Sequence, residues 1–268
     1  MKGREGAAEL SQFSEPCTGQ SPINCRPMKR AVFLILAGAA VLVAPFAAQA
    51  RHSPAKPPVV VELFTAQGCA SCGKANAFVA GLADRTGLVV LTWPVDYWDY
   101  LGWKDTFARP EFADRQRAFD RHFGLRDVYT PQVIVDGAAQ ASGAKSDEVE
   151  KLLRDTRKAP GRQPSLRFYH SGERVAVGAG PRVRGGVEVW LVRYDPRSQE
   201  VEVKDGDNRG HTVTVRNVVR QAVKLGLWRG RAVQFELPEG DEALKSVVLL
   251  QAPKGGRILN VLQGPPKP

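Results

Sequence analysis

Cys69 and Cys72 are the residues of this 268-residue chain whose type and spacing offer reactive chemistry. They lie in the segment VELFTAQGCASCGKAN, which runs from Val61 to Asn76. A C-x-x-C pair can form a redox-active dithiol, supply half of a metal site or close a structural disulfide. The residues around the pair discriminate between these three kinds of site.

The pair is predicted to lie between a strand and a helix. Val59–Phe64 is an apolar, β-branched run, Gly68 marks a turn, and apolar residues recur at helical spacing from Ser71 onward. Unpaired amides and the positive end of the helix dipole stabilise a thiolate at such a place. We expect Cys69 to be the more exposed nucleophile and Cys72, about one turn into the helix, to be the buried resolving thiol.

The first fifty residues are predicted to be a leader. Residues 28–30 (MKR) are basic, residues 31–43 are apolar and uncharged, and residues 48–50 (AQA) fit a signal-peptidase site. We predict a signal peptide over 28–50, an upstream start-site artefact over 1–27, and a periplasmic or secreted protein. A retained membrane anchor is the alternative. Cleavage leaves only the C-x-x-C cysteines, in a compartment where disulfides persist.

Metal binding is the strongest chemical alternative to redox activity. Zinc takes four ligands, and the histidines at 52, 122, 170 and 211 show no ligand spacing to the pair. Two thiolates suffice for copper(I), so a copper(I) carrier remains open. A structural disulfide would close too small a loop to constrain the unfolded chain much. A periplasmic binding or interaction module is the non-enzymatic alternative.

Residues 51–158 are predicted to follow the order β-α-β-α-β-β-α. The predicted strands are Val59–Phe64, Leu88–Trp93, Gln132–Val135 and Ala138–Ala141, and the predicted helices begin at Ser71, Pro110 and Ser146. Asp136-Gly137 is typical of a hairpin turn. These elements predict an α/β domain with a mixed sheet flanked by helices.

The composition changes at residues 159–164, which we predict to be a linker. Short strands at about ten-residue spacing then predict a separate, mostly β, sandwich-like domain over 165–268. The predicted strands are Leu166–Tyr169, Arg174–Val177, Val187–Tyr194, Val201–Lys204, Thr212–Val215, Val233–Leu237, Ser246–Leu250 and Ile258–Leu262. Residues 217–224 fit either a helix or a strand.

The order of elements, with C-x-x-C at the first helix, resembles the thioredoxin fold. That resemblance implies a cis-proline that faces the cysteines and offers backbone groups to the substrate, and Thr130-Pro131 stands at the matching place. It also implies a buried acid that assists proton transfer to the resolving cysteine, for which Glu62 is the candidate. A paired or solvated Glu62 is the structural alternative.

Longer motifs resemble one family more closely. VELFTAQGCASC, VDYWDYLGWKD, RQRAF, YTPQVIVDG and NRGHTVTVRNVV are similar to the bacterial secreted family called domain of unknown function 1223. The similarity covers nearly all of residues 59–268 and implies a secreted thioredoxin-like protein without an established substrate. A proline commonly follows the second cysteine in that family and a histidine precedes the aromatic motif. This chain has Gly73 and Pro94 at those two positions. Both differences from the family affect the reduction potential expected for the cysteine pair.

The aromatic loop supplies a candidate groove beside the thiols. Its candidate lining residues are Asp96, Trp98, Asp99, Tyr100 and Trp103. Packing of the tryptophans under a long loop, with the acids capping turns, is the structural alternative.

The sequence therefore favours an exported thiol–disulfide oxidoreductase acting on a protein thiol or small thiol substrate, or on a redox partner of the cell envelope. No organic cofactor or metal is expected, since the dithiol carries the electrons. The chain has a net charge of +10, and residues 1–50 hold five basic and three acidic residues, which leaves +8. The basic residues are scattered along the sequence, so we expect neither nucleic acid nor membrane as a partner beyond the signal peptide.

Overall fold

The computed structural model describes residues 57–156, 164–169 and 172–264. The predicted leader and all but the last residue of the predicted linker lie outside this range. Among the described residues, no helix is long and apolar enough to cross a bilayer.

Three helices and eleven strands make up the described part of the chain. The helices are α1 (Cys72–Leu82), α2 (Pro110–Phe123) and α3 (Ser146–Thr156), with a 3-10 turn at Asp99–Leu101. The first six strands are β1 (Val59–Thr65), β2 (Leu88–Pro94), β3 (Gln132–Val135), β4 (Ala139–Ser142), β5 (Leu166–Tyr169) and β6 (Arg174–Val177). The others are β7 (Val187–Glu202), β8 (Thr212–Trp228), β9 (Val233–Glu236), β10 (Lys245–Gln251) and β11 (Ile258–Gln263).

The predicted fold class is wrong. Eight strands form one mixed sheet in the order β11-β10-β7-β8-β2-β1-β3-β4, and β5-β6-β9 form a second, three-stranded sheet. The structure is therefore mostly β, and it is not a helix-flanked thioredoxin-like domain followed by a separate β domain. The physical reason is that β8 pairs with β2 through Thr92 and Val218, which continues the sheet across the predicted boundary.

The two faces of β1 belong to different cores. Val60 and Phe64 lie in a cluster with the apolar face of α2, whereas Val61 and Leu63 pack with α1 and α3. Their relative exposures are at most 1%. Each such fully buried side chain contributes about 1.5–3 kcal/mol of stability. The near-continuous apolar sequence of β1 is thus explained by burial on both faces.

Strands β7 and β8 form one long antiparallel hairpin of 16 and 17 residues. The strand predicted at 201–204 is strand only at residues 201–202, at the end of β7, whereas the strand predicted at 212–215 and residues 217–224 lie within β8. Asn217 adopts φ 54° and donates its side-chain amide to the carbonyl of Val90 at 2.9 Å. The connecting residues 203–211, called the hairpin tip below, reach the loop that carries the cysteines.

Candidate functional site

Cys69 and Cys72 form a disulfide between the end of β1 and the start of α1. Cys69 and Cys72 are only 2% and 1% exposed, so both are buried and the predicted difference in exposure between them is negligible. The intervening Ala70 and Ser71 are exposed, and the Ser71 hydroxyl lies 3.5 Å from the Cys69 sulfur. The disulfide therefore lies directly beneath an exposed dipeptide.

Cys72 is the first residue of α1 rather than a residue one turn inside it. Ser71 occupies the N-cap position, and its side chain makes no capping hydrogen bond. The first amides of a helix have no partner within the helix, and the dipole places positive charge at that end. Both effects would stabilise a Cys thiolate formed when the disulfide is reduced.

The Thr130–Pro131 peptide bond is cis, as predicted. Trp98 connects it to the cysteine loop, because the Trp98 indole donates to the Thr130 hydroxyl at 2.8 Å. The Cβ of Trp98 also lies 3.4 Å from where a Cβ on Gly68 would stand. On the other side, a Cβ built on Gly143 would lie within 3.1 Å of the Cβ atoms of both Ala75 in α1 and Pro131.

Gln67, two residues before Cys69, is held by hydrogen bonds from three directions. Its backbone amide donates to Oδ2 of Asp105 at 2.7 Å, and its side-chain oxygen accepts from the Trp103 indole at 2.8 Å. Its backbone carbonyl accepts from the Asn208 side chain at 2.7 Å. The aromatic loop and the hairpin tip thus fix the backbone that leads into the disulfide.

Asp105 is the buried anchor of that loop, with 5% exposure. Its carboxylate accepts backbone amides from Gln67, Phe107 and Ala108 at 2.7–3.1 Å. Burial raises the pKa of Asp105, and these three hydrogen bonds oppose that rise. The side chain therefore serves to position the loop.

Glu62 faces α2 and is fully buried. Its two carboxylate oxygens accept from Nε and Nη2 of Arg115 at 2.7 and 3.1 Å. The Arg115 guanidinium also lies over the rings of Trp93 and Phe119, at 4.9 and 5.0 Å from their centroids. Glu62 is thus one half of a buried ion pair. In the disulfide form of the protein, Glu62 is therefore a paired structural residue, which is the alternative to proton transfer given above.

A second buried polar group lies next to the cis peptide bond. The Gln132 side chain accepts from the Gln116 amide at 2.9 Å and donates to Oδ1 of Asp120 at 2.7 Å. Gln116 also accepts from the Tyr97 hydroxyl at 3.2 Å. Burial raises the pKa of Asp120 and that of Tyr97. A raised pKa favours the neutral forms of both side chains.

The predicted groove residues are not equivalent. Trp98 and Trp103 direct their indole N–H groups to Thr130 and Gln67, and the Asp99 carboxylate accepts the backbone amide of Asp105. The Asp96 carbonyl accepts the amide of Asp99. Tyr100 is 78% exposed. The loop is therefore mostly a support for the cysteine segment, with Tyr100 as its exposed aromatic side chain.

Sequence reasoning missed Arg115, Gln67, Asp105 and Asn208 as parts of the site. Arg115 carried a usable signal, because it falls on the same face of α2 as Phe112 and Phe119. A cation on an apolar helix face needs a buried partner, and Glu62 in an apolar strand needs one too. Gln67, Asp105 and Asn208 also join segments that are far apart in the sequence, and no local pattern encodes those contacts.

No cluster of three or more His, Cys, Asp or Glu side chains suited to a metal occurs within residues 57–156, 164–169 and 172–264. The two cysteines remain the only thiol ligands in that part of the chain, and they are bonded to each other.

The family profile described as "Protein of unknown function (DUF1223)" matches residues 60–251. No curated protein matches the chain. A solved structure from Agrobacterium tumefaciens, a Northeast Structural Genomics Consortium target, is 30% identical over 79% of this chain and 96% of its own, with a TM-score of 0.65. HBP35 of Porphyromonas gingivalis is 13% identical over 78% and 74%, with a TM-score of 0.46.

Proposed function

The chain belongs to the family described as protein of unknown function (DUF1223), and we propose that it is an exported thiol–disulfide oxidoreductase acting on protein or small thiol substrates. The observation that carries the proposal is the Cys69–Cys72 disulfide with Cys72 as the first residue of α1. Unpaired helix amides favour the thiolate that must attack or leave during exchange.

In the reduced protein, the thiolate of Cys69 attacks one sulfur of a substrate disulfide. The other substrate sulfur leaves as a thiolate, and a mixed disulfide joins Cys69 to the substrate. The thiolate of Cys72 then attacks the Cys69 sulfur, which restores the protein disulfide and releases the substrate as a dithiol. Two electrons and two protons pass from the protein to the substrate, and the reverse sequence oxidises a substrate dithiol.

The choice of Cys69 as nucleophile rests on its place in the chain. Both cysteines are buried, but Cys69 lies in the loop before α1 and is followed by the exposed Ala70 and Ser71, whereas Cys72 belongs to the first helical turn. We therefore expect an approaching substrate to contact the loop that contains Cys69 before it contacts the helix that begins with Cys72.

The substrate-side backbone is assigned to Thr130. The Pro131 carbonyl already accepts the amide of Gly143 at 2.8 Å, while Thr130 is half-buried and its hydroxyl is held by Trp98. Trp98 joins Thr130 to the loop that carries the cysteines. We therefore expect a substrate strand that binds over residues 69–71 to contact the backbone of Thr130.

Because both cysteines are buried, exchange requires residues 66–71 to move. The bonds of Gln67 to Asp105, Trp103 and Asn208 oppose that movement. We therefore expect small thiols to reduce the disulfide faster than bulky thiols unless a bound substrate displaces the loop.

A redox titration combined with trapping tests the proposal. The protein is equilibrated in thiol–disulfide buffers and its free thiols are alkylated. The Cys72→Ser variant is then used to capture substrates as mixed disulfides through Cys69. We expect a potential above about −300 mV and captured partners, whereas inert structural disulfides lie below that value. A potential far below it, together with no adduct on Cys72→Ser, would overturn the proposal.

The Cys69→Ser variant is the matched control. It retains one thiol of the pair but removes the proposed nucleophile, so it should capture far less than Cys72→Ser does. Protein isolated without chelators should also be analysed for copper. Stoichiometric copper that is lost in Cys69→Ser would replace the redox proposal with the copper(I) carrier.

Export is a separate part of the proposal, supported by residues 28–50 of the sequence. Cell fractionation followed by N-terminal sequencing tests it. A periplasmic or secreted product that begins at Arg51 is expected, and an uncleaved product in the membrane fraction would instead indicate a retained anchor.

A further inference from the structure

Four arginines that are far apart in the sequence converge at the base of the β7–β8 hairpin. Arg182 and Arg184 precede β7, and Arg229 and Arg231 follow β8. All four are exposed, and none is in an ion pair with a carboxylate of the described residues. These four residues are called the arginine platform below. The fold thus brings together four basic residues that are scattered in the sequence.

The two segments are joined through their backbones. The Gly180 amide donates to the Gly230 carbonyl at 3.1 Å. Gly230 has φ 90°, and a Cβ built on it would lie 2.8 Å from Cγ of Arg182. Beneath them the buried Trp228 donates its indole N–H to the Gly178 carbonyl at 3.0 Å. The arginine backbones are therefore held in place, which lowers the entropic cost of using them together.

Exposed aliphatic side chains lie beside the arginine platform. Val183 lies between two of the arginines, and Leu227 lies two residues before Arg229; each is 37% exposed. They are two of the four large hydrophobic residues that are exposed among the described residues. Gly186 lies between them in space, since its amide donates to the Val183 carbonyl and its built Cβ would lie 3.9 Å from that of Leu227.

This combination favours the surface of a bilayer over a folded acidic protein or a soluble polyanion. Anionic headgroups attract arginines with about 1 kcal/mol per residue near the surface. Aliphatic side chains beside them can enter the boundary between headgroups and acyl chains. A soluble polyanion would use the arginines and gain nothing from Val183 or Leu227.

The platform and the disulfide lie at opposite ends of the hairpin. The hairpin tip reaches Gln67, whereas the platform adjoins the first residue of β7 and the last residue of β8. Sixteen extended residues span up to about 50 Å. A protein attached through its platform would hold the cysteine loop away from the bilayer.

We propose that the arginine platform, with Val183 and Leu227, docks the protein onto an anionic phospholipid surface. The proposal concerns binding alone, so it stands or falls independently of redox activity.

Vesicle co-sedimentation tests the proposal. The protein that begins at Arg51, the mature form proposed above, is used because it lacks the apolar leader segment. It should bind vesicles of phosphatidylcholine mixed with phosphatidylglycerol, should ignore phosphatidylcholine alone, and should lose affinity in high salt. The quadruple variant R182Q/R184Q/R229Q/R231Q should bind at least about 100-fold more weakly, at about fivefold per arginine.

The matched control is R117Q/R121Q/R126Q/R154Q, which makes the same change in net charge at exposed arginines on and after α2 and on α3. This variant should retain most of the vesicle binding. No binding by the unsubstituted protein, or an equal loss in both quadruple variants, would overturn the proposal.

A second variant identifies the occupant. Val183→Ser with Leu227→Ser should weaken vesicle binding several-fold and leave binding to heparin, a soluble polyanion, unchanged. Unchanged affinity for vesicles, or binding to heparin without binding to vesicles, would replace the bilayer with a soluble anionic polymer. Circular dichroism of each variant checks that the fold is retained.

Discussion

The side-chain amide of Asn208 donates a 2.7 Å hydrogen bond to the backbone carbonyl of Gln67, across 141 residues of sequence. It connects the tip of the β7–β8 hairpin to the segment that enters the disulfide. A Cβ on Gly102 would lie 3.3 Å from the Asp205 carboxyl group, and one on Gly206 would lie 3.3 Å from the Leu101 carbonyl. The C-terminal half of the chain therefore helps to build the cysteine site.

Replacing Asn208 with alanine should make the disulfide more accessible. The substitution removes one hydrogen bond to the Gln67 carbonyl, worth about 1 kcal/mol, and so raises the population of the open loop about fivefold. The rate at which dithiothreitol reduces Cys69–Cys72 measures this population. Asp207→Ala alters the exposed neighbour on the same tip and should leave the rate unchanged. Equal rates for both variants would show that the tip does not restrain the loop.

The Glu62–Arg115 pair predicts a strongly non-additive pair of substitutions. Glu62→Ala leaves the Arg115 charge buried without its partner, which should lower the free energy of unfolding by about 3–5 kcal/mol. Replacing both residues with leucine removes the buried charges together and should restore a large part of that loss. Urea unfolding measures each variant, and a double variant no more stable than Glu62→Ala would contradict a coupled pair.

The same position decides whether Glu62 also transfers protons. Glu62→Gln removes the ionisable group, and its effect on the pH profile of thiol exchange can be compared with its effect on stability. If the role of Glu62 is purely structural, Glu62→Gln should lower the stability of the protein and leave the shape of the pH profile of thiol exchange unchanged. A changed profile in a stably folded variant would instead support proton transfer to Cys72.

The local elements of the first half were predictable because their signals are short in range. Pro110 begins α2 and Gly124 ends it with φ 71°. Asp136 and Gly137 adopt φ 49° and 58°, as the mirror-image turns of two-residue hairpins require. In each case a steric property of one or two residues sets the local conformation.

The pairing of distant strands was not predictable from local signals. The composition of residues 159–164 predicts a linker, yet β8 continues the sheet from β2. Alternation of apolar residues shows that a segment is a strand but does not show which strand it pairs with. The hydrogen bond of Asn208 and the arginine platform both depend on that pairing, so neither could be derived from the sequence.

Two glycines near the site should respond to alanine in opposite directions. Gly73 is exposed in the first turn of α1 and has no atom within 4 Å of a built Cβ, so Gly73→Ala should stabilise the protein by about 0.5–1 kcal/mol. Gly143→Ala places a Cβ 3.0 Å from that of Ala75 and 3.1 Å from that of Pro131, so it should destabilise by about 1–3 kcal/mol. Thermal or urea unfolding compares the two variants. If both substitutions changed the free energy of unfolding in the same direction, this description of the packing would be wrong.

Asp136 predicts a measurable dependence of stability on pH. Burial raises its pKa from 3.8 to about 6, so its contribution to stability is fully present below pH 3.8 and is lost as the pH rises through about 6. Asparagine cannot ionise, but it keeps an oxygen for the Val60 amide and tolerates φ 49°. Urea unfolding measures the free energy of unfolding of both proteins. Between about pH 4 and pH 8, the difference in this free energy should shift by about 2–3 kcal/mol in favour of Asp136→Asn over the unsubstituted protein. Asp127→Asn changes an exposed carboxyl and should show no such shift. If neither variant shows the shift, Asp136 titrates as a solvated carboxyl and the prediction is wrong.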